Sequence, residues 1–118
     1  MKYIIPLDTN ESQLVLIGAT VDLFTYTVPA KARGVLKKFG NYIDTVAAWG
    51  DIVWSILKNG IPVFPYDAIL DQIGQGYLPR EISPIIFNGG DTLIVRVTNN
   101  HIANVQIGVA LSGEIQEL

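Results

Sequence analysis

Cysteine is absent from this 118-residue chain, and histidine occurs once, at His101. Without cysteine there are no disulfides, no thiol nucleophile and no Cys-type zinc centre. One histidine cannot supply the usual ligand set of a histidine-based zinc site either. It leaves any Ser-His-Asp arrangement a single base, directly after Asn99-Asn100 in a predicted turn. No Gly-x-Ser-x-Gly elbow surrounds Ser12, Ser55, Ser83 or Ser112. Charge is also scarce, at 16% of residues against a usual ~25%. With 8 basic and 11 acidic residues the net charge is −3. Nucleic acid is therefore not an expected partner, because phosphate binding needs clustered Lys and Arg. The one basic group, Lys31, Arg33, Lys37 and Lys38, reads as a solvated strand face.

Long apolar runs are missing as well. The longest charge-free stretch, Val97 to Gly113, includes Asn99, Asn100, His101, Asn104 and Gln106 and alternates, so no membrane span is expected. At the start, Lys2 precedes only Tyr3-Ile4-Ile5 before Pro6, too short for a hydrophobic targeting segment. Asp44, Asp51, Asp67 and Asp71 do not have the spacing of a calcium loop and read as turn, capping and solubility residues. Gly74-Gln75-Gly76 lacks the downstream Gly-Lys-Ser/Thr of a phosphate loop and reads as a flexible turn. No catalytic residue, metal or cofactor is expected, and the chain is read as a non-enzyme.

What is present is alternation. Leu93, Val95 and Val97 share one parity, and Ala103, Val105, Ile107, Val109 and Leu111 another, which marks two strands with one buried face each. Asn99-Asn100-His101 between them predicts an antiparallel hairpin. A second hairpin is predicted where Asp51–Lys58 meets Asn59-Gly60 and continues as Ile61-Pro62-Val63-Phe64, since Asn-Gly suits a type I′ turn. Pro62 places that return strand at an edge, or turns its nitrogen outward. Further strands are expected over 14–17, over 22–28, over 82–87 before the Asn88-Gly89-Gly90-Asp91 turn, and through Val35, Lys37 and Phe39. Short helices are expected over 42–49 and over 68–73, the second capped by Asp67. About eight closely spaced strands with little helix give an all-β class, a single antiparallel β-sandwich or barrel over 12–118. Residues 1–11 read as an N-terminal arm or an extra edge strand.

Several strands are apolar on both parities. Ile52, Trp54 and Ile56 oppose Val53 and Leu57, Leu14 and Leu16 oppose Val15 and Ile17, and Ile85-Ile86-Phe87 is continuous. A small sandwich hides only one face of each sheet, so the surplus points to a subunit contact. Burying ~800 Å² per partner, half of it apolar, is worth on the order of 10 kcal/mol before association costs. Trp54 is assigned to the core, while Trp49 and Tyr77, in predicted loops beside glycines, are assigned to partner contact.

Four segments carry a resemblance: Phe24-Thr25-Tyr26-Thr27-Val28-Pro29-Ala30, Val53-Trp54-Ser55-Ile56-Leu57-Lys58-Asn59-Gly60, Gly90 through Asn99, and the strand from Val105 to Gly113. In strand order and turn placement, over 24–113, the chain resembles the small jelly-roll accessory virion proteins of tailed phages, of the capsid decoration (cement) or head-fibre type. The resemblance implies a non-enzymatic, homo-oligomeric protein, with a trimer favoured. It would be made in the host cytoplasm and would bind a major capsid protein or another virion protein at the capsid surface. On that reading Tyr3, Ile4 and Ile5 anchor a terminal arm, and Trp49 and Tyr77 touch the partner. Removing residues 1–11 is then expected to leave a folded sandwich with weakened assembly. Two alternatives are a carbohydrate- or receptor-binding module of a fibre or tail, using loop aromatics, and a small β-sandwich hydrolase using His101.

Overall fold

The computed structural model describes residues 4–118. It contains eight strands: β1 (Ile4–Val15), β2 (Thr20–Thr27), β3 (Ala32–Ile43), β4 (Ile52–Lys58), β5 (Ile61–Pro62), β6 (Arg80–Asn88), β7 (Thr92–Asn99) and β8 (Val105–Glu117). They form two four-stranded antiparallel sheets, ordered β1-β8-β3-β6 and β2-β7-β4-β5. The all-β sandwich expected from the alternation is the observed class. Pairing is nested: β1 lies against β8, β2 against β7, β3 against β6 and β4 against β5.

The inward parities fill the space between the sheets. Ile52, Trp54 and Ile56 of β4 and Leu93, Val95 and Val97 of β7 meet Val105, Ile107, Val109 and Leu111 of β8, all of them buried. Trp54 is fully enclosed, and its indole N–H donates to the Gly108 carbonyl across the sandwich at 3.3 Å. In β3 the expected face of Val35, Lys37 and Phe39 is broken by a bulge between Leu36 and Lys38. The extra residue lets Leu36 and Phe39, three positions apart, both point into the core.

The Asn59-Gly60 turn joins β4 to β5 as expected, with positive φ at both residues (55° and 80°). Pro62 sits on β5, an edge strand, where its missing N–H costs no ladder bond to a second neighbour.

Three local expectations are corrected. β7 and β8 are not a hairpin, because they belong to different sheets and the segment between them is a corner. Asn99 makes that corner: its buried amide donates to the Val15 and Ala103 carbonyls and accepts from the His101 N–H. Likewise the 88–91 turn crosses from β6 to β7 in the other sheet. The two short helices are absent apart from a 3₁₀ turn at Val46–Ala48. Tyr42 and Ile43 instead end β3, and Ile69 forms a bridge with Trp54. At both places a tertiary hydrogen-bonding partner outcompetes weak helix propensity.

Around the far turn, the Asp91 carboxylate accepts from the Asn59 side-chain amide (2.9 Å) and the Asn88 N–H (2.8 Å), with the Lys58 ammonium 3.8 Å away. The Asn59 hydrogen bond first, then that from Asn88, hold Asp91 below the usual carboxylate pKa. Glu114 is lowered by its hydrogen bond with Lys37 first and then by Gln116. A folded pKa below the unfolded one adds stability above the ordinary value near ~4 and loses it as pH falls through the lowered one. The urea midpoint is therefore expected to be flat from neutrality to about pH 5 and to drop below about pH 4, with a shallower drop in Asp91→Asn.

Candidate functional site

Two exposed surfaces stand out from the sandwich. The first is an end built by three loops. The β1–β2 loop is tied to the β7–β8 corner by Gly18 N–H to the Asn99 carbonyl and by Ile17 N–H to the Asn104 side chain. The β3–β4 loop joins them, since Asn100 N–H donates to the Asp51 carbonyl and Gln106 N–H to Asp44. His101 belongs to this scaffold and pairs with Asp51 at 2.8 Å. The loops so fixed present apolar side chains outward: Leu16, Ile17 (60% exposed), Val46 (83%) and Ile102 (88%). Leu14, at the last turn of β1, extends the same end.

The second surface is a groove on the outer face of the β1-β8-β3-β6 sheet. Along that face β8 carries Gly108, Ala110 and Ser112, which pair with Tyr42, Gly40 and Lys38 on one side and Ser12, Asn10 and Asp8 on the other. Small residues in the central strand leave a trough between taller neighbours. Tyr42 lies flat across Gly108, where a Cβ would overlap its ring, and a Cβ at Gly76 would meet the same ring. The Tyr42 hydroxyl donates to the Asn10 side chain, whose amide donates to the Gly76 carbonyl at 3.0 Å. The groove comprises a hollow of ≈ 460 Å³ beside Tyr42, Gln72, Gln75 and Tyr77, and an adjoining one of ≈ 410 Å³ beside Asp8, Thr9 and Lys38. Asn10 and Gly76 line both.

Buried Asn41 holds the wall of this groove in place. Its side-chain amide donates to the Asp71 carbonyl and accepts from Ile73 N–H, while its backbone bonds Gly74 and the Gln72 side chain. A single side chain in β3 thus fixes the loop that carries Gln72, Gln75 and Tyr77.

The residues assigned to partner contact do not come together. Ile4 and Ile5 are exposed at the start of β1, opposite Gln116 and Ile115. Tyr77 (84% exposed) is at the groove, beside the middle of β1. Trp49 is half-buried and packs on Trp54 with ring centroids 5.5 Å apart, so its main contact is the core. Tyr3 lies outside the described residues. Of residues 1–11, Ile4 to Glu11 form part of β1, in continuous register with β8 along the edge of the sheet.

Among the described residues no group of three or more His, Cys, Asp or Glu side chains is placed to hold a metal ion. Among the described residues no helix is long and apolar enough to cross a membrane. No protein-family model matches the chain, and no curated protein matches it in sequence.

Proposed function

We propose that this chain is a non-enzymatic structural protein of a virion, a capsid decoration subunit that self-associates, as a trimer, and bridges neighbouring capsomers. The nested pairing supports taking the sandwich as a jelly roll, the arrangement in which eight strands form two Greek keys across two sheets. The observation that carries the reading is the loop end bearing Leu16, Ile17, Val46 and Ile102. These are large apolar residues held outward by a hydrogen-bonded scaffold rather than on slack loops. Contiguous apolar surface on a rigid support is what protein contacts use, since little entropy is lost on docking. A decoration subunit then acts by mass action: it binds the assembled shell better than free capsomers and shifts the equilibrium toward the shell.

The wild-type protein is expected to sediment as an oligomer and to pellet with purified tailed-phage heads. Compared at a concentration where the wild type is dissociated, an Ile17→Asp/Ile102→Asp double variant should keep its unfolding free energy to within about 0.5 kcal/mol per substitution, because both side chains are exposed on the single chain. It should be monomeric and fail to pellet. A wild-type protein that stays monomeric at high concentration and ignores the heads refutes the proposal.

A further inference from the structure

We infer that the groove between β1 and the 72–77 loop binds a neutral saccharide. The inference does not depend on the decoration reading, since the groove lies on the sheet face and the apolar loops form an end of the sandwich.

The groove has a floor bonded within itself and a rim open to water. On the floor, Tyr42, Asn10 and the Gly76 carbonyl bond one another, and Asn41 fastens the loop behind them. These groups are committed and hold the shape. At the rim, the Gln75 amide, the Tyr77 hydroxyl and the Asp8 carboxylate make no side-chain hydrogen bond with the described residues, and Gln72 uses only its N–H on Asn41. Such a rim offers donors and acceptors at fixed positions around a preformed hollow of ligand size.

Tyr77 decides the ligand class. Tyr77 is 84% exposed although it sits on a loop anchored at both sides, so it is displayed rather than frayed. A flat apolar face beside the Gln72 and Gln75 amides matches a pyranose ring, which has an apolar C–H face and an equatorial belt of hydroxyls. Asp8 and Lys38 bring opposite charges to the adjoining hollow, so the groove has no net pull on an anion. Its continuation past Asn10 and Gly76 leaves room for more than one sugar unit.

The test is a glycan array carrying neutral and acidic glycans, followed by NMR titration of the ¹⁵N-labelled full chain with the best neutral oligosaccharide. Binding to neutral glycans is expected, with shifts confined to the 72–77 loop, Tyr42, Asn10 and the adjoining Asp8, Thr9 and Lys38. Tyr77→Ala should weaken binding about tenfold or more, and Gln75→Ala about threefold. Both side chains are exposed, so the urea midpoint should not move. Trp49→Ala should leave affinity unchanged if it remains folded, and the oligomeric state should be unaffected in Tyr77→Ala. No binding to any neutral glycan, a preference for acidic ones, shifts mapping elsewhere, or full affinity in Tyr77→Ala would each overturn the inference. None of these outcomes bears on whether the loop end assembles subunits.

Discussion

Trp54→Ala is expected to lower the stability of the protein by about 3–5 kcal/mol, read as a shift in the urea midpoint. The indole is fully enclosed between the sheets and braces the half-buried Trp49 ring. Its removal leaves a void that the two strand ladders cannot collapse into, because each backbone is held by its neighbours. It also strips the Gly108 carbonyl of an indole partner. Domains of this kind have about 5–15 kcal/mol in total, so the variant should sit close to its folding threshold at room temperature. Trp54→Phe keeps most of the volume and should recover the larger part of the loss. A cost below about 1 kcal/mol for the alanine variant would contradict the packing described.

Removing residues 1–11 is expected to have a comparable or larger effect, and to abolish folding rather than merely weaken assembly. As the sequence reads, this stretch is an arm or an extra edge strand that a sandwich can lose. In the structure, Ile4 to Glu11 pair residue by residue with β8 from Gln116 to Val109. The truncation would strip a run of ladder hydrogen bonds, each worth roughly 0.5–1.5 kcal/mol net. It would also uncover one side of a strand whose Val109, Leu111 and Ile115 are buried. A long unprotected β8 edge would then invite pairing between chains. The expected product is insoluble or lacks cooperative unfolding. A soluble truncated protein with a sharp melting transition would restore the arm reading.

The sequence shows which residues face inward far better than it shows which strands meet. Leu93, Val95 and Val97, or Ile52, Trp54 and Ile56, announce a buried face by parity alone, and Asn59-Gly60 announces its turn by backbone preference. Parity does not encode a partner, however. β7 and β8 are adjacent in the chain and apolar in the right rhythm, yet Asn99 turns the chain out of one sheet into the other. Nothing local distinguishes that asparagine from one in a hairpin. The difference is the Val15 carbonyl, more than 80 residues away in the chain.

The groove was legible only in fragments. Tyr77 is recognisable as a displayed aromatic because glycine precedes it and no apolar rhythm includes it. Asn10, Tyr42 and Gln75 carry no signal of their own, since β1, β3 and the 72–77 loop meet only after both sheets have formed. For Trp49 the loop position suggests exposure, but an aromatic neighbour in β4 leaves it half-buried.

The nested pairing also ranks the sheet contacts by the length of chain each must close. Ile4 finds its partner at Gln116, so β1 can pair only once β8 is available. Meanwhile β4 and β5 can already close on their two-residue turn. The β4–β5 pairing closes a loop of two residues, whereas the β1–β8 pairing closes one that spans nearly all of the described residues, so the second costs more entropy. Contacts this distant along the chain make for slow acquisition of the native state, on the order of milliseconds to seconds.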